Sequence, residues 1–172
     1  MATKRPGVEE RSEAIKAVLA GLSASEEIGQ LRVTMLELHP RNNTFPGEVL
    51  LELAADAIEE SRATRNNPID YEDIRAKYLP EVEFRGRQDH HKSHYALQAA
   101  AMIRAGVQPD LLGETYWWGN DNLREHALYA LIIYVRVAAE RSGRSVPEVC
   151  TALAERHSIA LGDLALRVRD GS

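Results

Sequence analysis

The sequence predicts an all-α protein, an irregular multi-helix domain of about six to eight helices around a buried central helix near residues 123–142. Three observations carry this. Apolar residues recur at three- and four-residue spacing along most of the chain. No alternating strand pattern repeats, and no strand–helix–strand rhythm appears. The stretch holding Leu123, Leu128, Leu131, Ile132, Ile133, Val135 and Val137 is apolar on nearly every side of a helix. Such a helix belongs at the centre of a fold or of a dimer interface.

The elements follow in order. Residues 1–7 read as a disordered lead. Ile15, Val18, Leu19 and Leu22 mark a first helix over Glu9 to Leu22. Ser23 or Ser25, each ahead of acidic residues, caps a second helix with Ile28, Leu31, Leu36 and Leu38 on its apolar side. Two prolines and two asparagines make 39–47 a loop. Pro46 suits the first turn of a third helix that runs to Ala63, with Val49, Leu50, Leu53, Ala57 and Ile58 as its buried stripe. Asp70 caps a short helix to Tyr78, and Pro80 stops it. A fifth helix spans Asp89 to Ala105 before Gly106, and 109–114 adds a turn. Asn122 and Glu125 have the spacing of a capping box for the central helix, and Gly143 stands just past its end. Ser145, Pro147 and Glu148 open another helix to His157. Residues 162–168 form a last short helix, and 170–172 a frayed tail.

Composition bounds the function. The chain has 172 residues, which fits one domain, here 8–169, able to bury roughly 70% of its unfolded surface. It needs neither disulfide nor metal to hold a core. A formal charge of −5 argues against a general affinity for nucleic acid or anionic lipid. Cys150 is the only cysteine, so no intrachain disulfide forms, and a lone thiol suits a reducing compartment. The N-terminus has no apolar signal region. The most apolar run, Ala127 to Ala139, contains Arg136 and is too short to span a bilayer. The expected location is the cytoplasm, with no membrane contact.

Several residues bear chemistry. His90 and His94 sit one helical turn apart, a spacing that lets two imidazoles share a transition metal. A third ligand must come from elsewhere, and His126 is the best candidate, with Glu125 beside it as a general base. The plain alternative is a set of surface histidines. Glu48, Glu52, Asp56 and Glu59 fall within roughly 80° of one another on a helix. Stacked carboxylates can hold a di-metal centre, but the Glu-x-x-His element of such sites is missing, so a solvated face is expected. Glu59 and Glu60 also precede Arg62, which allows local pairing. Trp117 and Trp118 form an aromatic loop that either contacts a ligand or partner or folds onto the core. Arg85 and Arg87 precede a helix N-terminus and suit an anion, although Asp89 competes for that place. Cys150 stands among Val149, Leu153 and Ala154, where a thiol is inert. Residues 145–169 have a helix-turn-helix outline, with Ser158 where a turn glycine is usual and Arg167 and Arg169 late in the second helix.

Nucleotide-loop glycine patterns, GxSxG and HExxH are absent. The expected function is a non-catalytic helical interaction domain that self-associates or meets a protein partner, without a cofactor. One alternative is a hydrolase dependent on zinc or another divalent transition metal, held by His90, His94 and His126. A second is DNA binding through 145–169.

Overall fold

The computed structural model describes residues 8–24, 45–78, 97–106 and 120–161. Five helices are delimited there: α1 (Val8–Ser23), α2 (Phe45–Glu60), α3 (Tyr71–Tyr78), α4 (Asn120–Ser142) and α5 (Val146–Arg156). The stretch 97–104 is also helical. No strand occurs among the described residues. Of the about six to eight helices expected, five are delimited among the described residues and 97–104 belongs to a sixth, while the helix after Ser23 and the short ones at 109–114 and 162–168 lie outside them. The terminal segments 1–7 and 170–172 lie outside them too.

Local chemistry sets most boundaries. Asp70 Oδ1 accepts the Asp73 N–H at 3.4 Å ahead of α3, as a cap should. Ser145 is extended and its Oγ accepts the Glu148 N–H at 3.2 Å, with Pro147 in the first turn of α5. Gly106 and Gly143 follow their helical segments with φ of +106° and +69°, a region that costs other residues dearly. α5 closes differently. Ser158 has φ +57°, its N–H reaches Glu155 O, and the Ile159 N–H reaches Ala154 O at 2.9 Å. This is a Schellman closure with serine in the left-handed place, and buried Ile159 supplies its apolar contact.

Two boundaries differ from expectation. α4 begins at Asn120, so Asn122 lies inside its first turn and does not cap it. α2 stops at Glu60, short of Ala63. There the buried Ser61 hydroxyl donates to Ile58 O at 2.5 Å, and Arg62 turns left-handed with φ +57°. A hydroxyl that bonds the helix's own carbonyl competes with the next turn.

α4 is the trunk. From His126 to Ala138 every residue is buried except Arg136. At about 1.5 Å per residue the 23-residue helix is about 35 Å long. Its most extensive neighbour is α2, which presents Val49, Leu50, Leu53, Ala54, Ala57 and Ile58, all buried. α5 packs on α1, α2 and α4, and α3 touches α4. Buried Tyr134 donates its hydroxyl to Leu97 O at 2.8 Å, fastening 97–104 to the trunk. One connected core joins all of these segments. Residues 126–138 of α4 are therefore covered within the chain itself, Arg136 excepted. No described helix is long and apolar enough to cross a membrane.

Candidate functional site: an ionic seam along α2

The face of α2 turned toward α4 is apolar, and its other side carries Glu52, Asp56, Glu59 and Glu60 at spacings of four, three and one. A helix repeats every 3.6 residues, so the first three stack along one edge. The stripe expected as a solvated face was Glu48, Glu52, Asp56 and Glu59, and of these the Glu48 side chain lies outside the described residues. Glu52, Asp56, Glu59 and Glu60 each meet a basic side chain brought in from another segment. Glu52 pairs with Arg11 of α1. Asp56 Oδ2 lies 2.8 Å from Nε2 of His157, the cap residue of α5. Glu59 Oε1 accepts from Arg104 Nε at 2.7 Å. Glu60 accepts from Arg144 Nη2 and from Arg156 Nε, both at 2.8 Å. The local pairing expected between Glu59 or Glu60 and Arg62 is not made, because the left-handed turn carries Arg62 away into solvent.

Glu60 is the most enclosed of these acids, with a side chain 15% exposed. Burial alone would raise its pKa. Hydrogen bonds from Arg156 and Arg144, and their positive charge, outweigh burial and hold the carboxyl below its ordinary value.

The C-terminal end of α2 also collects arginines through its carbonyls. Arg141 donates from Nε to Ser61 O at 3.2 Å and from Nη2 to Asn67 O at 2.6 Å. Arg144 Nη2 reaches Glu60 O at 3.0 Å, and Arg104 Nη2 reaches Ala63 O at 3.1 Å. Unpaired carbonyls at a helix C-terminus carry partial negative charge, so guanidinium groups are the natural partners. Basic residues at the ends of 97–104, α4 and α5 thus knit those ends to the end of α2.

A cleft of about 360 Å³ opens along the seam, lined by Arg11, Glu52, Asp56, Glu59, Arg104 and His157 with Ala55 and Ile103 beside them. An imidazole held by a carboxylate is the orienting half of many acid–base centres. Here the described lining offers no hydroxyl or thiol to activate, and its three carboxylates already face Arg11, His157 and Arg104.

The residues singled out in the sequence are distributed as follows. His90, His94, Arg85, Arg87, Trp117 and Trp118 lie outside the described residues. Glu125 lies on α4, and its side chain is not among those described. His126 is 2% exposed and its ring centroid is 6.1 Å from that of Tyr129. No three His, Cys, Asp or Glu side chains gather to hold a metal among the described residues. Cys150 is fully buried, and burial pushes its thiol pKa up to about 12. Of the helix-turn-helix outline, the first helix and its turn at Ser158 are described, and residues 162–169 are not.

The sequence reading missed Arg11, Arg104, Arg144, Arg156 and His157. A signal existed for four of them: Arg104, Arg144, Arg156 and His157 stand at or just past predicted helix ends, where cations are favoured. Nothing local named their partners, which lie 45 to 101 residues away. No protein-family model matches the chain, and neither a curated protein nor a solved structure matches it.

Proposed function

We propose that the chain is a non-catalytic helical interaction domain, a rigid bundle whose role is to hold a surface for a protein partner. The supporting observation is the seam on α2. The titratable side chains that the fold brings together are spent on joining α1, α2, 97–104, α4 and α5 to one another. A bundle stitched this way is stiff, and stiffness lowers the entropic cost of presenting a surface. A second copy of the chain is one such partner. Because α4 is already enclosed, self-association would use outer residues.

Light scattering over a dilution series tests the self-associating form. A dimer mass that falls to a monomer mass on dilution is the expected result. A monomer at every concentration removes that form and leaves a different protein as partner.

The metal-dependent hydrolase is the second reading: His126, one of its three proposed ligands, is enclosed in the trunk with its ring 6.1 Å from that of Tyr129. Metal analysis of the purified chain separates the two. The interaction domain predicts no bound zinc, manganese or iron and an unchanged melting temperature when metal is added. Stoichiometric metal, with a melting temperature several degrees higher, would replace it with the hydrolase.

A further inference from the structure

A second cleft, of about 450 Å³, lies beyond the end of α2 and shares Arg104 with the first. Its charge balance is the reverse of its neighbour's. Its described lining is Ala63, Thr64, Arg65, Pro68, Ile69 and Arg104, so two guanidinium groups meet there, with the Glu59 carboxylate behind Arg104 rather than in the described lining. From these observations we propose that this cleft binds a small organic oxyanion, a carboxylate or phosphate carrying a compact apolar group.

The donors are set before any ligand arrives. Arg104 is anchored by Nε on Glu59 and by Nη2 on Ala63 O. Those bonds fix the plane of the guanidinium and leave its remaining N–H groups for a second acceptor. Thr64 Oγ1 already accepts the Asn67 N–H at 3.1 Å, so its hydroxyl hydrogen is the part left to donate. Arg65 has no hydrogen bond or ion pair among the described residues, while Arg104, Arg141, Arg144 and Arg156 around it are all engaged.

The loop that carries these groups is held at both edges. Thr64 and Asn67 exchange backbone hydrogen bonds of 3.1 and 3.2 Å. Arg141 grips Asn67 O and Pro68 O from α4. A donor set on a loop fixed in this way loses little entropy on binding. Pro68, half-buried Ile69 and Ala63 add the apolar wall. In a chain with a formal charge of −5, a pocket walled by two arginines is a local inversion of sign that selects anions over cations.

Three probes separate charge from shape: benzoate, uncharged benzamide and inorganic phosphate. Binding is read from backbone amide shifts of residues 63–69 and 104. Benzoate should shift these signals saturably, phosphate should shift them more weakly, and benzamide should not. Arg65→Ala should weaken benzoate about tenfold or more and leave the melting temperature unchanged, because Arg65 holds no other segment. The unchanged melting temperature shows that the loss is not unfolding. No saturable benzoate shift, equal shifts with benzamide, or undiminished binding by Arg65→Ala would each overturn the proposal. Phosphate binding more tightly than benzoate would overturn its apolar half.

Discussion

Helix α2 meets the rest of the protein in two ways. Toward α4 it offers Val49, Leu50, Leu53, Ala54, Ala57 and Ile58, each no more than 1% exposed. Along its other edge it offers four carboxylates that remain partly in water. The first face supplies energy. A buried aliphatic side chain contributes about 1.5–3 kcal/mol, yet one leucine fits against α4 much as another does. The second edge supplies little energy, about 0.2–1 kcal/mol for each exposed pair. It supplies order: the acids meet different basic side chains, brought in from α1, 97–104, α5 and the turn after α4. The difference teaches that bulk stability and segment placement are carried by separate sides of one helix.

The comparison breaks most visibly in the trunk. Leu131→Ala opens a cavity at a fully buried site and should cost about 2–5 kcal/mol in urea unfolding. That corresponds to a melting temperature lower by about 2–4 °C per kcal/mol in a chain of this size. A smaller value would mean that the α2–α4 interface collapses easily onto a void. Tyr134→Phe removes the hydroxyl that Leu97 O accepts in addition to its place in the helix and should cost about 0.5–1.5 kcal/mol, with faster amide exchange over 97–104. An effect near zero would show that the apolar layer does not depend on its one described tyrosine anchor to that segment.

Glu60 sharpens the contrast, because it is the member of the seam that resembles the core. Glu60→Gln should cost about 1–2 kcal/mol at neutral pH, since two charge-assisted hydrogen bonds weaken. The folded state holds this carboxyl below its ordinary pKa, so its stabilisation is present above the pKa of the unfolded chain and is lost as pH falls through the folded value. Unfolding free energies of parent and variant should therefore converge toward acid pH. A constant gap between them would mean that charge is not what Glu60 contributes.

Exposed pairs should rank below this. Lys77 and Glu140 are more than half exposed although 2.5 Å apart, and a double-mutant cycle should find no more than about 0.5 kcal/mol of coupling between them. One small effect is a gain. Ser158→Gly relieves a left-handed residue at the end of α5 and should raise stability by about 0.5–1 kcal/mol without moving the His157–Asp56 contact.

Much of the fold was legible because its signals are local. The 3.6-residue period located α1, α2 and α4, while Asp70 and Ser145 marked the starts of α3 and α5 and Gly106 and Gly143 the ends of 97–104 and α4. Misplaced boundaries have local causes too. Asn120, Asp121 and Asn122 are all capping types, so composition cannot choose among them for the start of α4. The end of α2 depends on which acceptor the Ser61 hydroxyl takes, and that is decided by burial. The seam was half legible. Stacked acids could be read from spacing, but whether they face water or arginines depends on contacts across as many as 101 residues, which no periodicity records.

The sealed thiol of Cys150 gives the molecule a built-in clock. As the sole sulfhydryl in the chain, enclosed on the inner side of α5, it meets a labelling reagent only when α5 lifts from the bundle. Its rate of alkylation at neutral pH then reports how readily α5 opens, with no engineered probe. Comparing that rate between the parent and Glu60→Gln would show how far the acid on α2 keeps α5 shut.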